Sequence, residues 1–293
     1  MKFCLISGKK GEDVKDVFIN QAKNFFDTVV YAPISKIKVS LEDQDPKLFY
    51  KNYDLKSFDA IYVRIFEDDY MFGEIILDIL EKSDVYMPTG LDGYQITNHK
   101  FYSVQMVSKI GVPVPDSSLT ISPESSMIIC KKMGFPIVLK LLRGFGGKGV
   151  MLINSEEELR PVLDTLNVLD ELLSAQKFIP NLQTDTRALI IGDEIIGIRR
   201  KGTGSEWRAN VSTGGSAEII ELDDNLKEIA KSVSEMLRLD VCAVDFIETD
   251  KEPIFIEANF TPGIMEKYFD SKLADSILSY IKKKAERKNS DKE

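Results

Sequence analysis

Residues 137–153 read IVLKLLRGFGGKGVMLI and place a glycine-rich turn, residues 144–149, between two apolar stretches. The turn fits the pattern GxGxxG, which by itself is a weak signal. The stretch that follows, residues 150–153, has the length and composition of a strand, whereas a dinucleotide-binding fold requires a helix there. The Lys-Ser/Thr ending of a P-loop is also missing. We therefore predict two antiparallel strands joined by a glycine-rich flap whose backbone N–H groups can close over phosphates.

Lys140 lies on the strand that enters this flap, four residues before its first glycine. A lysine within an apolar strand needs an anion to offset the cost of removing its charge from water. A nucleotide phosphate would supply that anion. The alternative is an ordinary mobile hairpin that carries a solvated lysine.

Two apolar stretches nearer the C-terminus, residues 243–247 and 255–259, carry carboxylates. Glu257 and Asn259 are two residues apart, so they point to the same face of a strand. If the two strands are antiparallel neighbours, Asp245 joins them. Three oxygen ligands with open positions suit Mg²⁺ bridged to nucleotide phosphates. The alternative is that each acid is solvated at a sheet edge or pairs with a structural arginine.

Cationic residues are concentrated between the flap and these carboxylates, namely at Arg187, in the run 199–201 and at Arg208, which is followed by Asn210. The planar guanidinium group suits the recognition of phosphates and carboxylates. This cluster therefore predicts an anion site, with a solvated face as the alternative for any single arginine.

Composition narrows the class of protein. The 293 residues include 38 Lys+Arg and 47 Asp+Glu, which gives a formal net charge of −9. This acidity disfavours a general binder of nucleic acid or of anionic membranes, because both need a basic field. No apolar run approaches the roughly 20 residues that cross a bilayer, and the N-terminus lacks the layout of a signal peptide. We expect a cytoplasmic protein that does not enter the membrane.

The cysteines and the single histidine argue against several kinds of metal site and enzyme. Cys4, Cys130 and Cys242 are far apart and have apolar neighbours, which predicts buried thiols rather than disulfides or a zinc site. His99 is the only histidine, which argues against a Ser-His-Asp enzyme or a metal site with several histidines. Catalysis must therefore use carboxylates, amides, lysines and arginines.

Three parts of the chain differ in pattern. In the first ~95 residues, strands alternate with helices, which predicts a doubly wound parallel sheet. A second part contains the flap, and a third part is rich in strands. The predicted strands fall at residues 1–7, 28–32, 58–65, 85–87, 136–142, 150–153, 175–179, 186–191, 194–200, 242–248 and 253–258, and the helices at residues 12–26, 73–82, 98–109, 122–133, from 155 and 225–237.

Taken in order, these motifs resemble the ATP-grasp superfamily, and within it most closely the RimK-like branch of glutamate ligases. The resemblance covers roughly residues 98–281 and is specific, because about a dozen motifs have the right order and spacing. They are Lys100, PVP at 113–115, GFPIVLK at 134–140, the flap with the residue after it at 144–150, QKFI at 176–179, DTR at 185–187, RAN at 208–210, GG at 214–215, VD at 244–245 and EANFTPG at 257–263.

The resemblance implies an α/β (α+β) chain with ATP-grasp architecture. An N-terminal doubly wound parallel α/β domain would cover residues 1–97, a small central domain with the flap residues 98–174, and a strand-rich C-terminal domain with the metal site residues 175–283. Residues 284–293, which are charged, would form a flexible tail.

The resemblance also implies roles for single residues, on the positions that match the family's motifs. Asp245, Glu257 and Asn259 would bind Mg²⁺, with Mn²⁺ as an alternative metal. Arg208, Asn210 and Arg199 would act in catalysis. The register of the second strand in this part leaves open whether Arg199 or Arg200 faces the site. ATP would be bound by Lys100, Lys140, Gly144, Gly146, Gly147, Gly149, Gln176, Lys177, Phe178, Ile179, Asp185 and Arg187.

The activity implied is that of an ATP-dependent carboxylate-amine ligase that forms an amide through an acyl phosphate. The amine would be an amino acid, L-glutamate, and the acceptor a carboxylate on a protein or a coenzyme. Homo-oligomers are expected from analogy with the family alone. In the N-terminal part, Arg64 either binds a carboxylate at the end of a strand or forms a structural ion pair.

Two departures from the family pattern support an alternative function. Lys177 replaces a glutamate that is usual in the hinge beside adenine, and His99 replaces an aspartate that is common before the first nucleotide lysine. These departures favour a catalytically silent, ATP-binding regulator of the same fold. A third hypothesis, a dinucleotide-dependent oxidoreductase, rests only on GxGxxG and conflicts with the strand that follows it.

Overall fold

The fold is described from a computed structural model, whose described residues are 1–8, 14–65, 69–142, 149–169, 173–181, 183–203, 209, 215–263 and 271–290. These residues form several sheets with helices packed against them. The predicted alternation of strands and helices is present at the N-terminus, and the predicted strand-rich part is present at the C-terminus.

The N-terminal part is built on a parallel sheet in the order β2-β1-β6. Apolar side chains cover both faces of β1, as expected for a central parallel strand. Because β2 and β6 lie on opposite sides of β1, the chain reverses its direction of winding at β1. The elements are β1 (Lys2–Ser7), α1 (Lys15–Ala22), β2 (Thr28–Pro33), β6 (Ala60–Arg64), α2 (Tyr70–Glu81) and α3 (Leu91–Asn98).

Between β2 and β6 the chain forms a separate antiparallel sheet that the sequence analysis did not predict. Its strands are β3 (Ile37–Glu42), β4 (Asp45–Tyr50) and β5 (Tyr53–Asp54). The tight connection between β3 and β4 places Asp43 and Gln44 at positive φ. Leu48 and Tyr50 are buried and anchor this sheet to the main hydrophobic core.

The central part is a four-stranded sheet in the order β7-β10-β8-β9. β8 and β9 pair antiparallel, which confirms the hairpin predicted around the glycine-rich turn. Because β10 pairs with both β7 and β8, this sheet includes residues as far as Lys177. We therefore propose the boundary after Lys177 instead of after residue 174. The elements are α4 (Lys100–Ser108), β7 (Ser117–Thr120), α5 (Pro123–Met133), β8 (Ile137–Leu141), β9 (Val150–Ile153), α6 (Glu156–Val168) and β10 (Leu173–Lys177).

The C-terminal part is an antiparallel sheet of five strands in the order β13-β12-β11-β14-β15. Asp245 of β14 lies directly opposite Glu257 of β15, as the predicted pairing of these strands requires. The elements are β11 (Thr184–Ile191), β12 (Glu194–Lys201), β13 (Ser216–Ile220), α7 (Asp224–Met236), β14 (Val241–Ile247), β15 (Ile254–Asn259) and α8 (Lys272–Ser290).

The prediction of a flexible tail from residue 284 is wrong for the residues described. α8 continues to Ser290, and Ala285 is fully buried on it. Lys288 donates a 2.9 Å hydrogen bond to the carbonyl of Val85, and Asn289 bonds Asp59 at 2.8 Å. The charges that suggested disorder lie on the outer side of an amphipathic helix that closes over the N-terminal sheet.

The cysteines and the helices bear on two predictions made from composition. All three cysteines are free and buried, which confirms the predicted thiols. Burial raises the pKa of Cys130 to about 11, so its thiol stays protonated at neutral pH. Among the described helices, none has both the length and the apolar character that a membrane span requires.

Candidate active site

The C-terminal sheet has one face that changes from apolar to charged along its strands. Leu189 and Ala243 lie on the apolar half, in a cluster with α8 and the N-terminal strands. Because side chains alternate along a strand, Arg187 and Asp245 follow them on the same face, and these two residues are direct partners in the ladder. Glu257 continues the row on β15. We call this charged half the site face.

Four charged side chains on the site face form one hydrogen-bonded network. Arg187 donates from Nε and Nη2 to the two carboxylate oxygens of Asp245, at 2.7 and 2.8 Å. Arg200 forms the same two-pronged contact with Asp185, at 2.6 Å for both bonds. Nη2 of Arg200 also lies 2.9 Å from Asp245. The network holds two guanidinium groups and two carboxylates in fixed positions.

The network determines the protonation of its members. Burial by itself would raise the pKa of Asp245, but Arg187 and Arg200 hold it well below its usual range. For Asp185, burial is the largest effect and raises the pKa in spite of Arg200. Asp245 is therefore a firmly ionised carboxylate at neutral pH, as a metal ligand must be.

Glu257 and Asn259 lie beside Asp245 at the end of β15. Both are partly exposed, and the amide nitrogen of Asn259 lies 3.4 Å from a carboxylate oxygen of Glu257. This contact leaves the amide oxygen of Asn259 available as a ligand. Two carboxylates and one amide oxygen are hard donors, so the residues present fit Mg²⁺ completed by phosphate oxygens.

Lys140 comes to this site from the central sheet. Its side chain is only 7% exposed, and it forms no ion pair with a described residue. Burial is the main reason that its pKa falls to about 8, and the cation of Lys100 also lowers it. Glu257 and Asp245 are close enough to offset part of this shift. A buried cation of the central sheet thus lies close enough to two carboxylates of the C-terminal sheet to interact with them electrostatically.

The predicted adenine hinge joins the central sheet to the C-terminal sheet. Gln176 is buried at the end of β10 and donates to the hydroxyl of Ser117 at 3.1 Å. The backbone N–H of Lys177 is bonded to the carbonyl of Asp116 at 2.8 Å, and its side chain is exposed. Phe178 and Ile179 are half-buried. Gln176 and Lys177 pair with Val138 and Ile137 of β8, the strand that carries Lys140.

Some predicted residues lie outside the described part of the chain, including three flap glycines and both residues of the RAN motif that were assigned to catalysis. The last flap glycine, Gly149, has φ +71°, and its carbonyl accepts a 2.9 Å hydrogen bond from the N–H of Leu141. The residues outside the description are Gly144, Gly146, Gly147, Arg208 and Asn210.

The structure places Arg199 away from the site face. Arg199 is 43% exposed, and its guanidinium lies 3.7 Å from Glu218 and 3.9 Å from Glu248 on the other side of the sheet. Its neighbour Arg200 is 5% exposed and belongs to the network around Asp245. The catalytic role predicted for Arg199 therefore does not fit this geometry, which places Arg200 in the network of the site face instead. The register of β12 against β11, which pairs Arg200 with Asp185, identifies the buried arginine.

His99 has a structural role in the described chain. It is the N-cap of α4, where its Nδ1 accepts a hydrogen bond from the N–H of Tyr102 at 3.2 Å. An aspartate at the same position performs the same capping function. The replacement is therefore compatible with an unchanged start of the helix that presents Lys100.

Comparisons with known proteins bear on the family and the fold of the chain. A profile of the RimK-like ATP-grasp domain matches residues 97–281. A probable alpha-L-glutamate ligase of Legionella pneumophila (strain Corby) is 31% identical over 247 residues, which covers 82% of each chain. A RimK domain protein ATP-grasp from Sphaerobacter thermophilus has a TM-score of 0.75 at 16% identity and covers 96% of this chain and 99% of its own. A RiPP-associated ATP-grasp ligase of Chryseobacterium gregarium, solved with ADP and with a leader and core peptide, has a TM-score of 0.73 at 18% identity and covers 97% of each chain.

Proposed function

Since the chain belongs to the RimK-like ATP-grasp family and is an ATP-dependent ligase that forms amide bonds, we propose that it joins L-glutamate to a carboxylate at the end of a peptide or protein. The observation that carries this proposal is Lys140, a buried cation that forms no ion pair with a described residue and lies close enough to Glu257 and Asp245 for their charges to raise its pKa. The name of the Legionella pneumophila relative supports glutamate as the amine, and the peptide complex from Chryseobacterium gregarium supports a peptide acceptor.

In the proposed reaction, an oxygen of the acceptor carboxylate attacks the γ-phosphorus of ATP. The bond between that phosphorus and the oxygen bridging it to the β-phosphate breaks, and ADP leaves. The amine of glutamate then attacks the acyl carbon, phosphate leaves with the electrons of the carbon–oxygen bond, and the amine loses a proton. The protein contributes positioning and the exclusion of water more than covalent chemistry.

We assign the residues of the site face, and those of the central part that lie near it, to this reaction as follows. Lys140 and Lys100 bind phosphate oxygens, and the flap that ends at Gly149 covers them. Arg187 and Arg200 neutralise the charge that develops on the transferring phosphoryl group. Asp185 orients Arg200 through its two-pronged hydrogen bond. Arg208 and Asn210 keep their predicted catalytic roles as part of this proposal.

Metal and adenine binding complete the assignment. Asp245, Glu257 and Asn259 would hold Mg²⁺, or Mn²⁺ in its place, and the metal would supply charge neutralisation and alignment of the phosphates. The hinge residues Gln176, Lys177, Phe178 and Ile179 would line the adenine pocket. His99 caps a helix, so it does not support the silent regulator. Cytoplasmic location and homo-oligomers remain predictions.

The proposal is tested by ADP release from Mg²⁺-ATP with peptides that end in glutamate, each with and without free L-glutamate. We expect release that needs both substrates and a product heavier by one glutamyl residue in mass spectrometry. Glu257→Gln should abolish release, whereas the matched control Glu218→Gln, an exposed change on the other side of the sheet, should retain it. Release that is independent of L-glutamate, or equal activity in Glu257→Gln, would contradict the proposal.

A further inference from the structure

Arg64 is the last residue of β6 and lies at a place where α/β sheets bind ligands. β6 and β1 are neighbours whose connections run to opposite sides of the sheet, since β2 lies on the far side of β1. Ser7 and Arg64 are paired at the carboxyl ends of these two strands. In open α/β sheets, ligands bind outside the carboxyl ends of the strands at such a switch point.

The guanidinium of Arg64 is buried without a carboxylate partner among the described residues. The residue is 2% exposed. Its Nη1 donates to the carbonyl of Pro262 at 3.1 Å and lies 3.3 Å from the hydroxyl of Tyr62. The guanidinium lies over the rings of Phe18 and Tyr62, at 5.4 and 5.6 Å. Its Nε is buried and forms no hydrogen bond. A buried charge in this condition is costly unless an anion pairs with it.

The unpaired edge of Arg64 is the edge that binds carboxylates elsewhere in this protein. Arg187 and Arg200 each use Nε and Nη2 together to hold both oxygens of an aspartate. Arg64 uses Nη1 for its contacts within the protein, and neither Nε nor Nη2 bonds a described residue. The side chain is thus held at one corner, and its two-pronged edge is left without a hydrogen bond to a described residue, in the geometry that a carboxylate would satisfy.

Arg64 also joins the N-terminal sheet to the candidate active site. Pro262, which accepts its hydrogen bond, lies three residues after Asn259 of the metal site. Between them, Thr261 is 3% exposed and its hydroxyl has no hydrogen-bond partner. A carboxylate ligand would supply hydrogen-bond acceptors for both groups, the Nε of Arg64 and the hydroxyl of Thr261.

We propose that Arg64 binds the substrate carboxylate that stays ionised throughout the reaction, the carboxylate of the amino-acid amine. This inference rests on the proposed function. A guanidinium fork holds both oxygens of its partner, so it suits a carboxylate that does not attack phosphorus. The enclosed position favours a small free amino acid over a large acceptor. The same chemistry could also come from a second carboxylate on the acceptor, and the experiment distinguishes these two sources.

The test measures binding and turnover separately in Arg64→Gln and Arg64→Lys, with Arg160→Gln as a control at an exposed ion pair on α6. Isothermal titration gives the affinity for AMPPNP with Mg²⁺ and then for L-glutamate in its presence. Kinetics give KM for L-glutamate and for a peptide that ends in two glutamates. The α-amide and the γ-amide of glutamate serve as probes that lack one carboxylate each.

We expect Arg64→Gln to lower the affinity for L-glutamate by about 10- to 100-fold, which corresponds to the loss of one charge-assisted pair. The kcat and the affinity for AMPPNP should change less than about threefold. Arg64→Lys keeps the charge but not the fork, so its loss should be intermediate. The wild type should reject one of the two amides, and Arg64→Gln should lose that discrimination. A purely structural role would not remove discrimination between an acid and its amide.

Each outcome decides the inference. A rise in KM for the peptide, with KM for L-glutamate unchanged, would support a carboxylate site at Arg64 but would assign that carboxylate to the acceptor. Unchanged affinity for both substrates in Arg64→Gln and Arg64→Lys would overturn it, while turnover of the wild type with L-glutamate and the peptide would still uphold the proposed function. Failure of the wild type to bind AMPPNP would overturn the proposed function itself, and this inference with it.

Discussion

A rise in pH should weaken ATP binding through Lys140. Burial is the main cause that lowers its pKa to about 8. As the pH rises through that value, the free protein loses the positive charge that we assign to the phosphates. Bound phosphates favour the charged form, so binding above pH 8 must take up a proton. At pH 9 about one free molecule in ten retains the charge, and the apparent Kd for ATP should be about tenfold higher than at pH 7.

Isothermal titration with AMPPNP and Mg²⁺ between pH 7 and 9.5 measures this dependence directly. Repeating each titration in two buffers with different ionisation enthalpies counts the protons taken up. The control is Lys140→Arg, because a guanidinium stays charged over the whole range. We expect a flat profile in this variant, even if its affinity is lower. A flat profile in the wild type, or equal slopes in both proteins, would refute the assignment of Lys140.

Three further predictions concern stability, measured by urea unfolding. Arg200→Leu should lower the free energy of unfolding by about 3–5 kcal/mol, because it leaves the buried carboxylates of Asp185 and Asp245 without their shared partner; a loss below 1 kcal/mol would contradict this. Gly149→Ala should cost about 1 kcal/mol, because φ is +71° and a Cβ would lie 3.0 Å from Leu141; no loss would show that the turn adapts. Ala285→Asp should destabilise the protein by at least about 2 kcal/mol, because the position is fully buried on α8, whereas Lys283→Asp, at an outward position, should cost little.

The parts of the fold that sequence predicts best are those where hydrophobic pattern and chemistry agree. The flap hairpin follows from two short apolar stretches around a glycine-rich turn, and β8 and β9 pair as expected. The row of Asp245 and Glu257 follows from polar residues placed singly in apolar strands. In both cases a local pattern of period two determines which side chains share a face.

The parts that sequence does not predict depend on partners far along the chain. β3 alternates apolar and polar residues as a strand does, but β4 begins with Asp45 and Pro46, which are typical of a turn. Leu48 and Tyr50 of β4 are buried in a core shared with distant parts of the chain, and the local pattern does not show this. The charged residues at the end of α8 predict disorder, although Ala285 is buried against another part of the chain. The choice between Arg199 and Arg200 needs the register of β12 against β11, which pairs Asp185 with Arg200.

The charges of the site explain how an acidic protein can bind a nucleotide and acidic substrates. The chain carries a formal charge of −9, yet the described residues around the site face include four cations and three carboxylates, Lys100, Lys140, Arg187 and Arg200 with Asp185, Asp245 and Glu257. Asp245 is already paired with two guanidinium groups in this structure. In our proposal Asp245, Glu257 and Asn259 would hold a metal ion that supplies positive charge to the phosphates, and Arg187 and Arg200 would supply theirs beside it. Asp245 thus keeps both arginines aligned on the site face in the absence of a ligand, and their removal from water is offset by this pairing, so that an acidic chain can hold two buried guanidinium groups ready for an anionic substrate.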